Sequence, residues 1–307
     1  MKAIQYKDYG SSAVIELVDI SMPSIQNEND VLIQVKAAGV NPIDMKIRMG
    51  IMKQIRPVEM PFIPGGEAAG IIVAVGAGVS KFKVGDEVIA LTMKNAYAQY
   101  VTANENFVLL KPEGLSFEEA ASIVVTIGSA QSVLFTEGKL EKDQKVLIQG
   151  GAGAVGGAMV QLAKAAGAYV IATASGEGVT LAEKLGADEV IDYKLQDVTK
   201  IARDIDLVAD TAGGDAQAKL FQVLKSGGKL LSIAIPPSQE LADQYHVKAY
   251  FVTSDISSKT LQNGVNMIEA GKFQIIVSKT FKLEEAAIAQ DFLTAGSVNG
   301  KVVLLVE

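Results

Sequence analysis

The run Gly151-Ala152-Gly153-Ala154-Val155-Gly156 constrains this chain more than any other feature, because it joins an apolar strand pattern, KVLIQ at 145–149, to an amphipathic helix pattern. In that setting the three glycines serve, in turn, a tight bend, a close backbone approach to a ligand, and contact between helix and strand. The helix start then offers bare amides and a positive dipole end to anionic phosphates. Similar spacing also occurs in plain connectors, so the flanking pattern decides. From Lys145 onward strand and helix alternate: KVLIQ, a helix from Gly153 to Ala166, AYVIATA, a helix through Leu185, EVIDY, IDLVADTA, a helix through Leu224, KLLSIAI, then AYFVTS. Such alternation predicts an α/β, doubly wound parallel sheet of the Rossmann kind, and with the glycine run it predicts dinucleotide binding. The stripe Val155, Met159, Leu162, Ala163 and Ala166 is the face expected to pack on that sheet.

The rest of the chain has a different texture. Residues 1 to about 115 read as short β segments between Gly, Pro and Asn turns, such as VLIQVKA, AAGIIVAVG and DEVIAL. Near Leu115, Ser116 and Glu119 form a capping box that opens a long apolar helix through AASIVVTIGSAQSVLF. After a helix from about Ser257 to Ala270, β segments return in FQIIVSKTF and GKVVLLVE. We expect these to rejoin the N-terminal β unit, so that residues 1–120 and 265–307 form one domain and residues 121–264 are inserted into it.

Composition narrows the chemistry. The 307 residues contain no cysteine and one histidine, His246, which removes disulfides, thiolate zinc sites and a cysteine nucleophile. His246 lies in a polar stretch and is expected at the surface. A net charge of −7 without a basic stripe argues against nucleic acid as a partner. Apolar residues make up 49%, yet runs such as Leu230 to Pro237 fall short of the roughly 18 residues that span a bilayer, so no membrane segment is expected. The N-terminus MKAIQYKDYGSS lacks a secretory pattern, and a cytoplasmic location is expected.

Several motifs in order, AAGVNPIDMKIRMG, PGGEAAGIIVAVG, VGDEV, EEAASIVVTIGSAQSVL, GGAGAVG, LGADEVIDY and GKVVLLV, resemble the medium-chain dehydrogenase/reductase superfamily, specifically its zinc-free quinone oxidoreductase, zeta-crystallin-like branch. The resemblance spans essentially the whole chain and implies that the N-terminal unit is GroES-like. In the zinc alcohol dehydrogenases of that superfamily a His precedes the Glu matching Glu67 and Cys residues complete the site, whereas here Gly66 takes the His position. The structural zinc loop is absent too. Without a Lewis acid an isolated alcohol or ketone is hard to activate. A quinone or enone needs less help, since conjugation already makes its carbon electrophilic and delocalises the product oxyanion. The resemblance therefore implies hydride transfer from NADPH to a small conjugated carbonyl compound or quinone.

By the same resemblance Asn41, Asp44 and Lys46 line the substrate side. Turn chemistry at Asn41-Pro42 is the competing explanation for the first two. Lys46 stands where many quinone reductases carry a tyrosine; it is either an oxyanion donor or a solvated surface charge, and the solvated reading is favoured. Ser129 matches a Thr that contacts nicotinamide, and Thr126 lies one helical turn earlier. Gly151, Gly153, Ala154, Val155 and Gly156 would hold the pyrophosphate. Ala174 and Ser175 stand where NAD enzymes place an acid, which favours NADPH over NADH, although Glu177 is near and the family's C-terminal basic residue is replaced by Gly296. Ser175 could also cap the next helix. Tyr193 matches a Tyr near the adenosine phosphate, or it packs at a rim. Ala234, Ile235, Phe251 and Thr253 match backbone contacts to the nicotinamide half, with sheet core the competing reading for Phe251. The edge strand AYFVTS suggests pairing into a homodimer. The alternatives are an enone or 2-alkenal reductase, a non-catalytic NADPH-binding protein, and a zinc alcohol dehydrogenase with unusual ligands.

Overall fold

The structure is a computed structural model that describes residues 1–254, 256, 258–296 and 298–307. A small antiparallel ribbon, β1 (Lys2–Gln5) and β2 (Glu16–Asp19), precedes the long strand β3 (Asp30–Val40), the short helix α1 (Pro42–Arg48) and strands β4 (Glu67–Val75), β5 (Glu87–Leu91), β6 (Tyr100–Asn104) and β7 (Val108–Leu110). Pro42 at the first turn of α1 presets the helical φ at a position where its missing N–H costs nothing. The helices α2 (Phe117–Ala120) and α3 (Val124–Gln131) then lead into the alternating region. There β8 (Lys145–Gln149), α4 (Ala154–Ala165), β9 (Tyr169–Ala174), α5 (Glu177–Lys184), β10 (Glu189–Asp192), α6 (Val198–Ile201), β11 (Ile205–Asp210), α7 (Ala216–Leu220), β12 (Leu224–Ser232), α8 (Gln239–Gln244) and β13 (Lys248–Phe251) follow one another. The chain ends through α9 (Ser258–Glu269), β14 (Val277–Lys282), α10 (Ala286–Thr294) and β15 (Lys301–Leu305).

Two sheets organise the molecule. One runs β10-β9-β8-β11-β12-β13 with every neighbour parallel, the doubly wound Rossmann sheet expected from the alternation. Its order reverses between β8 and β11, and in open sheets of this kind ligands bind at that switch point. The other sheet runs β14-β15-β3-β4-β5-β7, with β6 also on β3, and is the GroES-like unit. The returning strands do rejoin it: Val302 to Leu305 of β15 pair antiparallel with Val40 to Ala37 of β3. A core cluster containing Ala69 and Ile89 from this sheet, Ile127 and Ala130 from α3, and Val146 and Met159 from the nucleotide-binding side is continuous across both units. The two halves are thus packed together through α3.

The predicted elements shift in two places. The expected long helix after Ser116 opens on its capping box, with Glu119 N–H donating to Ser116 Oγ at 3.2 Å and Ser116 N–H to the Glu119 carboxylate at 2.9 Å. It breaks after Ala120 and restarts as α3, which ends in a wider π-turn over Ser132–Glu137. From Phe117 to Glu137 the stretch is long and apolar enough to cross a membrane by length and composition, but 78% of its apolar window is buried inside the protein, as suits a core helix. The helix expected through Leu224 stops at Leu220, and Leu224 already belongs to β12. Ser257, the expected start of the last long helix, lies outside the described residues. The stripe of α4 is as expected at Met159, Leu162 and Ala163, all buried. His246 is exposed, also as expected.

Candidate active site

The glycine turn sits at the end of β8, at the switch point. A side chain at Gly151 would meet the Ala172 methyl at 2.6 Å, and one at Gly156 would meet the Gly150 carbonyl oxygen at 2.0 Å. The chain itself therefore requires glycine at both. Gly153 differs: its φ of −71° suits any residue, and among the described residues a Cβ there would meet only the Gly150 oxygen, at 3.4 Å. Nothing among the described residues demands a glycine there, so the bare position is free for a close ligand. The α4 amides of Ala154, Val155 and Gly156 precede the first α-type bond, Gly157 N–H to Gly153 C=O at 2.8 Å, so they have no intrahelical acceptor. The turn is held from the other unit, since Gly300 N–H donates to the Ala152 carbonyl at 2.9 Å. This is a cradle whose shape and donors fit a pyrophosphate.

Next to Gly300, Lys301 enters a buried polar cluster. Its ammonium donates to Asn41 Oδ1 at 2.6 Å and lies 2.5 Å from Glu67 Oε1, while Asn41 Nδ2 donates to the same Glu67 oxygen at 2.9 Å. The second Glu67 oxygen accepts the Val125 N–H at 2.8 Å and so serves the start of α3. Asn41 occupies the N-cap position of α1, but its side chain does not cap; the ion pair pins it instead, so turn chemistry accounts for only its backbone. Asp44 Oδ2 accepts from the Asn41 N–H at 3.0 Å and from the Tyr97 hydroxyl at 2.9 Å. Removal from water dominates its titration: burial pushes the Asp44 carboxyl from 3.8 up to about 6, against the opposing pull of those two donors and of Lys301. Sequence reasoning assigned no role to Glu67 or Lys301. Their local signal is one charge in each of two otherwise apolar strands, EAAGIIVAV and KVVLL.

Because the folded Asp44 binds its proton more tightly than an unfolded one, its contribution to stability is complete below pH 4 and is lost as pH rises through about 6. Relative to Asp44→Asn, whose amide oxygen can keep both hydrogen bonds, the unsubstituted chain should lose on the order of 2–3 kcal/mol between pH 4 and pH 7. Urea unfolding of both proteins across that range checks this; parallel curves would show that the carboxyl does not titrate in the fold.

Lys46 corrects an expectation. It is half-buried, and its ammonium donates to the Ala234 carbonyl at 2.8 Å, across the cleft between the GroES-like unit and the loop after β12. It is no freely solvated charge. That loop is shaped by Asp210, buried at the end of β11, which accepts from the Gly213 N–H at 2.8 Å, Gln217 Nε2 at 2.8 Å and the Ser232 hydroxyl at 2.8 Å. Ser232 Oγ in turn accepts the Ala234 N–H at 3.1 Å. Asp210, which fixes this loop, is a further residue without a local signal beyond its place at a strand end.

Ser129 and the 251–254 segment come together, the Ser254 hydroxyl donating to Ser129 Oγ at 2.9 Å. Thr126 is buried, its hydroxyl without a hydrogen-bond partner among the described residues, and it lines a small cavity with Gly153, Ala154 and Lys301. Phe251 is 45% exposed at the open edge strand β13, so the core reading is corrected, and Thr253 is exposed beside it. Ile235 is exposed next to half-buried Ala234. At the far end of the cradle the Ser175 hydroxyl donates to the Tyr193 hydroxyl at 2.9 Å, so Ser175 caps no helix; Gly176 is the N-cap of α5. Tyr193 is 52% exposed, a rim position. For a metal, the donor set is poor: the sequence has no Cys, its one His is exposed, the Glu67 carboxylate is already paired with Lys301, and no cluster of three or more His, Asp or Glu occurs among the described residues.

A glycine cradle at a Rossmann switch point, facing a GroES-like unit across a polar cleft, defines a pyridine-nucleotide oxidoreductase of the two-domain type. Comparison with known proteins agrees. The alcohol dehydrogenase GroES-like domain family matches residues 27–139 and the zinc-binding dehydrogenase family matches residues 185–304. The 2-methylene-furan-3-one reductase of Solanum lycopersicum is 33% identical over 99% of this chain and 79% of its own length. The chloroplastic NADPH-dependent alkenal/one oxidoreductase of Arabidopsis thaliana is 34% identical over 99% of this chain and 79% of its own length. The structure of the quinone oxidoreductase from Coxiella burnetii superposes with a TM-score of 0.91 at 32% identity, covering 100% of this chain and 99% of that one. The chain belongs to the medium-chain dehydrogenase/reductase superfamily and is an oxidoreductase.

Proposed function

We propose that this enzyme reduces quinones or other conjugated carbonyl compounds with NADPH and without zinc. The observation that carries the reading is the pairing, in one cleft, of an open position at Gly153 with a Glu67 carboxylate already neutralised by Lys301. NADPH, when bound, supplies the hydride. The cradle residues Gly151, Gly153, Ala154, Val155 and Gly156 hold its pyrophosphate. Thr126, Ser129, Ala234, Ile235, Phe251 and Thr253 surround the nicotinamide half. Ser175 and Tyr193 meet the adenosine end, where Ala174 and Ser175 at the end of β9 take the place of the acid that would oppose a 2′-phosphate. Asn41, Asp44 and Lys46 border the substrate, and the fixed Asn41 carboxamide orients it. The names of the tomato and Arabidopsis relatives favour enones and alkenals beside quinones as acceptors. We further propose the division at 1–120 with 265–307 and at 121–264, a cytoplasmic setting, and pairing of two copies along the open edge of β13.

Steady-state oxidation of NADPH with a panel of quinones, enones and 2-alkenals, before and after dialysis against a strong chelator, tests the reading. Turnover that survives dialysis and prefers NADPH to NADH is expected. Activity that vanishes on dialysis and returns with zinc would sink the metal-free mechanism, and tight NADPH binding with no turnover would leave a binding protein.

A further inference from the structure

The GroES-like unit carries a concavity of about 540 Å³ between residues 56–63 and residues 92–95, a size usual for small-molecule sites. Val58, Phe62 and Ile63 give it an apolar lining, and Arg56 and Lys94 line it with charge. Neither cation has an ion-pair partner among the described residues. Arg56 is half-buried, and one of its five N–H donors reaches the Met93 carbonyl at 3.0 Å, which ties the two walls together. Glu59, exposed, is the one acid in the lining, so two cations against one carboxylate leave a net charge of +1 in a chain that carries −7 overall. The wall at 92–95 is firmly placed: Thr92 N–H and Met93 N–H both donate to the Gly66 carbonyl, at 2.9 and 3.1 Å, and Asn95 N–H donates to Ile63 C=O at 3.0 Å. Met93 and Asn95 there adopt φ of 63° and 70°, a left-handed conformation natural for Asn and unfavourable for Met. The same stretch leads on to Glu67, which meets Asn41, and a Cβ at Gly66 would have no described atom within 4 Å, so open space borders it. Four residues from Ile63 to Glu67 span at most about 14 Å, so a molecule seated at Asn41 reaches this concavity with a tail of medium length.

Resting on the function proposed above, we propose that this concavity is a specificity site in which Arg56 and Lys94 hold a carboxylate at the far end of the acceptor's apolar tail. The favoured substrates are then conjugated carbonyl compounds that carry a carboxylate remote from the reacting end. Val58, Phe62 and Ile63 cover the tail, and the Arg56 guanidinium takes the carboxylate through paired N–H···O bonds that a lysine alone cannot make. Lys94 adds a second, mobile donor group from the opposite wall. One net positive charge, with Glu59 nearby, suits a singly charged carboxylate better than a doubly charged phosphate. The two cations touch no reacting atom; they select which acceptors are brought to Asn41.

The test compares 9-oxoundec-10-enoic acid, an enone with a terminal carboxylate, with its methyl ester in steady-state NADPH oxidation. The readout is the ratio of kcat/KM for acid over ester taken within each protein, so that a general loss of fold or activity cancels. The unsubstituted enzyme should prefer the acid roughly tenfold at low salt, and the preference should shrink as ionic strength rises. The double variant Arg56→Met with Lys94→Met should bring the ratio to about one, and Lys94→Glu should turn it toward the ester. A ratio near one in the unsubstituted enzyme, or an unchanged ratio in the double variant, overturns the proposal. If the unsubstituted enzyme reduces neither compound nor any acceptor of the wider panel, the proposed function fails instead. Calorimetry with the saturated 9-oxoundecanoic acid then decides the site by itself: binding roughly tenfold weaker in the double variant upholds it, and equal binding overturns it.

Discussion

Replacing Lys301 with methionine is expected to destabilise the fold by about 3–5 kcal/mol, because it leaves the fully buried Glu67 carboxylate without its counter-charge. Glu67→Gln should cost a similar order by stranding the buried ammonium, although its amide oxygen can still accept from Asn41 or Val125. The combined variant should be clearly more stable than the sum of the two single losses, since removing both charges together removes the uncompensated desolvation. Urea midpoints for the four proteins give the coupling directly. Strict additivity would show that the pair is not an energetic unit. The effect extends to the site, because Lys301 follows the Gly300 that holds the glycine turn and also fixes the Asn41 carboxamide. A loss of NADPH affinity should therefore accompany the loss of stability in Lys301→Met.

That pair also explains what could be read from the sequence and what could not. The Rossmann half was legible because its signals are local: alternating strand and helix patterns, three spaced glycines, and the apolar stripe of α4. The capping box at Ser116 and Glu119 was legible for the same reason. The restart at α3 was not. Its N-cap, Ile123, has no side chain able to accept a hydrogen bond, and the Val125 N–H is met by Glu67, 58 residues earlier in the chain. A helix start capped from another unit leaves no local trace, so the segment reads as one continuous helix. Lys46 reads as a surface charge for a similar reason, its acceptor being the carbonyl of Ala234, 188 residues away. Phe251 errs the other way: an aromatic residue in a strand pattern suggests core, but β13 is an edge and leaves it exposed. The roles of Asn41 and Asp44 came from resemblance to a family, and the network that holds them became visible only in three dimensions.

Two glycines in one turn should respond in opposite ways to the same methyl group. At Gly156 the new Cβ would fall 2.0 Å from the Gly150 carbonyl oxygen, a backbone atom that cannot move aside cheaply. Gly156→Ala is therefore expected to lose about 1–3 kcal/mol or more as the turn is forced away from α4. At Gly153 the backbone angles suit alanine and the closest atom stands at 3.4 Å, so Gly153→Ala should change stability by less than about 1 kcal/mol. Its effect should instead appear in ligand affinity. A pyrophosphate drawn against the Ala154, Val155 and Gly156 amides must pass over the Cα of residue 153, and the added methyl would hold it off those donors. NADPH affinity should fall at least about tenfold, or 1.4 kcal/mol. Thermal unfolding without ligand and calorimetry with NADPH separate the two responses. A Gly153→Ala protein that binds NADPH as tightly as the unsubstituted chain would mean that no phosphate approaches this turn closely, and the cradle would then be only a connection between strand and helix.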